Sequence, residues 1–252
     1  FILQFNKLDI NLDFLQLDDD LSTRVVNVER DQFGDRFFSG FEASSHSCFA
    51  DEALSKQLIE KELPNFEKFF LETKYLVSGT NLLSSPKSAE TIFFLLEHAK
   101  KFEVKIIIDL NWREIFWDYS SFSSELGKTA RVNLIKKFLN HADLLKLSKE
   151  EATLFFEHEN PYFISKQMSK RPDVIITDGK NPIAWYINGL QGITQTPNSK
   201  KIVDTTGAGD AFLAGLISKL IASGYPSNEQ EIEDCIKFAG VCGLLTCLGE
   251  GA

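Results

Sequence analysis

Apolar runs of strand length alternate with amphipathic stretches of helix length through the middle of the chain. Tyr75-Leu76-Val77-Ser78 is a short apolar run, and residues 87–102 then set Ile92, Leu95, Leu96 and Ala99 on one helical face. Residues 104–109 follow with Val104-Lys105-Ile106-Ile107-Ile108, a continuous apolar run of the kind a strand buried on both faces requires. The alternation continues with a helix near 129–141, a strand at 143–147, helices across 150–170 and a strand at 173–177. Repeated strand-helix units predict an α/β fold, a parallel sheet with helices on both sides. Residues 183–195 read as a short antiparallel excursion, and two helices near 211–223 and 229–248 close the pattern. Ahead of the first strand, a helix-like pattern gives way at Thr23 to β-like alternation. Residues 23–28 and 36–41 flank the turn residues 31–35, which predicts a β-hairpin across 23–41.

Ligands of open α/β sheets lie outside the carboxyl ends of the strands. This directs attention to the loops after Ile108, Leu147 and Ile176, and to Asp204-Thr205-Thr206-Gly207-Ala208-Gly209-Asp210. In that last stretch Gly207 and Gly209 let backbone N–H groups converge on an anion, and the helix beginning near Gly209 adds the positive end of its dipole. Asp210 brings a proton acceptor to the same place. An ordinary glycine-rich turn with an N-terminal aspartate is the plain alternative. A dinucleotide fingerprint fits poorly, because Phe212 stands where its third glycine belongs, and no P-loop string occurs in the chain.

The stretch resembles the Asp-Thr-x-Gly-Ala-Gly-Asp signature of the ribokinase-like (PfkB) carbohydrate kinases. The resemblance implies a three-layer α/β/α fold with a mostly parallel sheet, and a small β lid formed by the hairpin. It implies transfer of the ATP γ-phosphoryl group to a primary hydroxyl of a small sugar. Asp210 would be the base, and the backbone of Gly207, Ala208 and Gly209 the anion hole. Asp109-Leu110-Asn111-Trp112-Arg113 is similar to the Asp-x-Asn-x-Arg stretch of fructokinase-like and ketogluconate-kinase-like members. Arg113 suits a phosphoryl group or sugar substituent through its planar fork, and Asn111 suits hydroxyl or phosphate oxygens. A polar strand end with Arg113 paired to a surface carboxylate is the alternative.

Ser148-Lys149-Glu150-Glu151 is similar to the family's Asn-x-x-Glu segment, with Ser148 in place of asparagine. On that likeness Glu151 holds Mg²⁺ through water, although Ser148 and Glu151 also spell a capping box. Thr177-Asp178-Gly179 is similar to a loop set against the nucleotide, with Pro182 replacing its second glycine, so Thr177 and Gly179 alone carry over. Asp204 and Thr206 match positions that help coordinate K⁺ in many members, and Asp204 is equally suited to be a hydrogen-bonded loop acid. The order of these segments is closest to fructokinase-like members of cyanobacterial type, which makes fructose the leading acceptor. A ketogluconate, ribose or nucleoside acceptor, or a non-catalytic nucleotide- or sugar-binding role, are the alternatives.

The likeness covers nearly all of residues 1–252, read as one kinase domain with the lid inside it. A Gly-Gly-containing sugar-binding segment expected ahead of Thr23 is not found, nor is the family's segment beyond Ala252, so a shortened chain is expected. Acidic residues outnumber basic ones by 36 to 27, for a formal charge of −9, which argues against nucleic acid or an anionic membrane as partner. No apolar run is long enough to span a bilayer. Cys48, Cys235, Cys242 and Cys247 form no Cys-x-x-Cys pair, and only His46 stands close to a cysteine, so reduced thiols in a cytoplasmic protein are expected. The resemblance adds a homodimer contact through the lid.

Overall fold

Residues 2–30, 36–41, 49–117, 125–199 and 201–251 are described by the computed structural model of the chain. After a short helix α1 (Ile2–Lys7), the expected hairpin forms from β1 (Val26–Arg30) and β2 (Arg36–Phe41), paired antiparallel with a bulge between Asn27 and Val28. Its turn, 31–35, lies outside the described residues, as do His46 and Cys48. Helices α2 (Lys56–Lys61) and α3 (Leu63–Glu72) come next and were not foreseen in the pattern. Pro64 opens α3, where its missing N–H costs nothing, and the helix buries Phe66 and Phe70.

The alternation then unfolds as expected: β3 (Tyr75–Gly79), α4 (Pro86–Lys101), β4 (Lys105–Asp109), α5 (Glu125–Leu139), β5 (Leu144–Ser148), α6 (Lys149–Phe156), α7 (Pro161–Gln167) and β6 (Asp173–Asp178). The antiparallel excursion is β7 (Asn181–Ile187) and β8 (Leu190–Thr194), turning at Asn188 and Gly189, both with positive φ. Asn-Gly is the pair that such a tight turn favours. Helices α8 (Ala208–Ser223) and α9 (Glu229–Thr246) complete the chain. The six strands pair in the order β3-β4-β5-β6-β7-β8, parallel from β3 to β6 and antiparallel thereafter.

Alternate residues of each strand feed opposite faces of this sheet. Ile106, Ile108, Leu145, Leu147, Val174 and Ile176 pack against α2 to α7, and Ile107, Leu144 and Ile175 pack against α8 and α9. The fold is therefore the three-layer α/β/α arrangement, with unequal outer layers. On the smaller side the helices lie close: a Cβ built on Gly215 would come within 2.7 Å of Cys242 Sγ. Among the described residues Cys235, Cys242 and Cys247 form no disulfide, and the Cys247 thiol donates to the Gly243 carbonyl at 3.2 Å. Among the described residues no helix is long and apolar enough to cross a membrane.

Candidate active site

The alternation that builds the second core also builds the site. Following Ile107, Leu144 and Ile175 by two residues toward the carboxyl ends of their strands gives Asp109, Lys146 and Thr177, so apolar packing turns polar where α8 begins. Asp109 and Lys146 are partners in the β4–β5 register, and Ser148 and Thr177 in the β5–β6 register. A cavity of about 290 Å³ opens there. It is lined by Asp109, Asn111, Arg113, Lys146, Ser148, Glu150, Glu151, Thr177, Gly209 and Asp210.

Gly207 is the N-cap of α8, with φ of 75°, a left-handed conformation that glycine adopts freely. It offers no side chain to the first turn, whose N–H groups have no intrahelical acceptors. The Ala208 N–H donates to the Thr205 carbonyl at 3.2 Å, which leaves those of Gly209 and Asp210 as the first-turn donors, on residues that line the cavity. Asp210 stands exposed in this first turn, at the mouth of the cavity. Behind the turn, Asp204 is buried: its Oδ1 accepts from the Thr206 N–H at 2.9 Å and hydroxyl at 2.7 Å, and its Oδ2 from the Gly251 N–H at 3.1 Å. These bonds make Asp204 the organiser of the loop, outside the cavity lining.

The loop after β4 is pinned from several sides. Asn111 takes φ of 43°, a left-handed conformation that asparagine tolerates better than most residues. Trp112 stacks on Trp117, which is fully buried, with ring centroids 5.6 Å apart, and meets the Phe155 ring edge-on at 5.3 Å. Arg113 donates from Nη1 to the Trp112 carbonyl at 2.8 Å. Beyond it, the rings of Phe116, Phe41 and Phe49 enclose the guanidinium of Arg24, which also pairs with Asp51 and Glu52 at 3.0 Å each. The base of the hairpin is thereby tied to the loop after β4.

Glu151 links two loops. Its Oε2 accepts the Ser148 N–H at 2.7 Å while Ser148 Oγ accepts the Glu151 N–H at 3.2 Å, so the capping box exists. Its Oε1 accepts the Trp112 N–H at 2.6 Å. Burial pushes this carboxyl up from the ordinary value, and the two backbone N–H groups pull it back only in part. Among the described residues no cluster of three or more His, Cys, Asp or Glu side chains is placed to hold a metal ion. Carboxylates that line a cavity without clustering fit an Mg²⁺ ion that arrives with phosphates and keeps much of its water shell, and do not fit a caged ion.

Of the residues named from the sequence, the fold brings Asn111, Arg113, Glu151, Thr177, Gly209 and Asp210 to one cavity. Gly207 and Ala208 shape its edge, Asp204 and Thr206 lie behind it, and Gly179 sits in the β6–β7 turn outside the lining. Sequence reasoning missed Lys146. Its signal was there: a lysine inside Leu144-Leu145-Lys146-Leu147 is a buried cation that needs a partner. The partner is Asp109, at 2.7 Å.

The whole chain, residues 1–252, matches the pfkB family carbohydrate kinase profile. The chain belongs to this family. It is accordingly a phosphotransferase that acts on a sugar hydroxyl, in a family of ATP-dependent kinases. A fructokinase of Salmonella typhimurium is 28% identical over 255 residues, covering 99% of this kinase and 75% of the relative. The structure of fructokinase with bound ATP from Xylella fastidiosa superposes with a TM-score of 0.78 at 20% identity, over 99% of this kinase and 74% of that chain. A fructokinase from Vibrio cholerae O395, in its fructose, ADP and calcium ion bound form, gives a TM-score of 0.75 at 21% identity, over 100% and 75%. These structural likenesses speak to the fold.

Proposed function

We propose that this kinase phosphorylates a primary hydroxyl of fructose, with Asp210 as the base. The observation that carries the proposal is the position of Asp210 in the first turn of α8, lining one cavity with Asn111, Arg113 and Glu151. Asp210 accepts the hydroxyl proton as the oxygen attacks, and the first-turn N–H groups of Gly209 and Asp210, in the loop that Gly207 and Ala208 shape, stabilise the charge that develops on the phosphoryl oxygens. Arg113 and Asn111 orient phosphate and hydroxyl oxygens, and Thr177 and Gly179 border the nucleotide. Glu151 would hold Mg²⁺ through water, and the ion would supply positive charge for the phosphates. Asp204 and Thr206 serve K⁺ beside the anion loop.

Residues 1–252 act in this reading as one domain, with the hairpin as its lid and as the contact of a homodimer. The Arg24 cage supports the lid, since it joins the hairpin base to the loop that carries Arg113. The absence of a disulfide among Cys235, Cys242 and Cys247, within the described residues, supports a reducing compartment, the cytoplasm. Fructose as acceptor is supported by the fructokinases among the relatives.

The test is ADP release from Mg-ATP with fructose, glucose, ribose, ketogluconate and adenosine, for the parent protein and for Asp210→Asn. Fructose-dependent release that disappears in the variant is expected. Preference for another acceptor would replace fructose, and undiminished turnover by Asp210→Asn would overturn the base assignment.

A further inference from the structure

Arg24 stands just ahead of β1, and its side chain is only 7% exposed. Its Nε–H donates to Asp51 Oδ2 at 3.0 Å, while Nη2 lies 3.0 Å from Glu52 Oε1, off the direction a hydrogen bond needs. The ring centroids of Phe41, Phe49 and Phe116 lie 4.7, 4.3 and 4.7 Å from its central carbon, within the range of cation–π attraction. Burying a cation costs desolvation that its partners seldom return in full, so folding alone is a weak reason for one here. The arrangement also demands an arginine: an apolar side chain would fill the rings and release the acids, and a lysine would keep the acids and lack a flat face for the rings. One wall of the cage is fixed to the body of the protein, because the Ser85 and Ser88 hydroxyls at the start of α4 donate to the carbonyls of Glu52 and Asp51. The opposite wall is Phe116, which also meets the Phe41 ring edge-on at 5.4 Å. Phe116 lies just beyond Arg113 on the loop after β4, and just ahead of Arg113 the Trp112 N–H is held by Glu151. Arg113 is thus set between two clamps, one on each side in the chain.

We propose that Arg24, which does not line the cavity, is a positioning residue for the transfer: by gripping Phe116 against the wall anchored on α4, it fixes the loop that carries Arg113. This assignment deepens the kinase reading above and rests on the part given there to Arg113. A guanidinium that must meet oxygens with its planar fork tolerates little displacement, so a loop clamped only at Trp112 would leave it misaligned. The same grip joins both strands of the hairpin to that loop, since Arg24 leads into β1 and Phe41 ends β2. Arg24 therefore acts on the reaction through Arg113, and its loss has little left to remove once Arg113 is gone.

The test is a double-mutant cycle with Arg24→Lys and Arg113→Lys, singly and together, read as kcat/KM for fructose with Mg-ATP and as urea melts. Arg24→Lys keeps the charge beside Asp51 and Glu52 and loses the flat contact with the rings. It is expected to lower kcat/KM by about tenfold in the parent and by less than about twofold in the Arg113→Lys protein, while its effect on the melts is the same in both. A merely structural residue would lower activity equally in the two backgrounds. Such additive losses overturn the assignment, as does parental kcat/KM in either single variant. If Arg24→Lys does not fold, Phe116→Leu takes its place in the cycle, since it cuts the link to the loop and leaves the pairs of Arg24 with Asp51 and Glu52. Should the parent protein turn over no sugar, the kinase reading fails on its own, and amide hydrogen exchange decides. Exchange over residues 111–117 at least about tenfold faster in Arg24→Lys, with β4 unchanged, upholds the grip on the loop, and equal exchange overturns it.

Discussion

Asp210 and Glu151 are both acids at helix starts, and their surroundings give them opposite duties. Asp210 is exposed in the first turn of α8, so its oxygens are open to a substrate hydroxyl, as the proposed base requires. Asp210→Asn is expected to lower kcat by about 10²–10⁴-fold while ATP affinity by calorimetry stays near the parent's, because removing a general base affects the transfer step. Glu151 is buried, and burial raises its carboxyl above the ordinary 4.5 despite the Ser148 and Trp112 N–H groups. A carboxyl raised in the folded state takes up its proton there first, so its contribution to stability is present below that ordinary value and is lost as pH rises through the folded value. Glu151→Gln removes this slope. Apart from the constant cost of losing one acceptor, urea melts at about pH 4 and about pH 7 are expected to show the variant gaining on the parent at the higher pH. A pH-independent difference would mean that Glu151 titrates alike in the folded and unfolded chains. Asp210 and Glu151 were legible from the sequence because each sits in a motif with its own local chemistry. Lys146 was not, because its place in the cavity depends on the register that sets it beside Asp109 and under Gly209.

The elements carrying these residues are held by contacts that sequence periodicity does not report. Strands β3 to β8 and helices α4 to α9 followed from apolar spacing and strand-ending turns, with α5 beginning at Glu125 ahead of the expected 129. Helices α2 and α3 escaped notice, being short and divided at Glu62 ahead of Pro64. The α8–α9 interlock was equally hidden, since a glycine inside a helical pattern announces close packing and does not name the neighbour. A Cβ on Gly243 would fall 2.9 Å from the Ala208 carbonyl oxygen, which is backbone and yields only if the first turn of α8 moves. Gly243→Ala is therefore expected to cost about 1–3 kcal/mol in urea melts. Displacing the anion loop by about 1 Å should also lower kcat by about tenfold or more, although residue 243 does not line the cavity. Full activity in a destabilised Gly243→Ala protein would show that α8 absorbs the strain away from its first turn.

At the scale of the molecule, the two sheets differ in support. Strands β4 to β6 each have a partner on both sides and helices on both faces, whereas β1 and β2 pair only with each other among the described residues. A two-stranded hairpin is marginal by itself. Backbone amides of β1 and β2 are expected to exchange with solvent at least about a hundredfold faster than those of β4 to β6, measured by hydrogen exchange and mass spectrometry. Addition of ATP and sugar should slow the hairpin most if it closes over the acceptor, and equal slowing everywhere would count against a lid. The order of the larger sheet has a different consequence. Each strand from β4 to β8 lies beside the one made just before it, so none of these described strands is threaded between two that are already paired. Among the described strands the larger sheet grows at a single edge, closing one helical crossover at a time as far as β6 and tight turns thereafter. The helix that bears Asp210 is laid down only after the six described strands of the larger sheet, so the proposed base is the last side chain to reach a cavity whose other walls are already made.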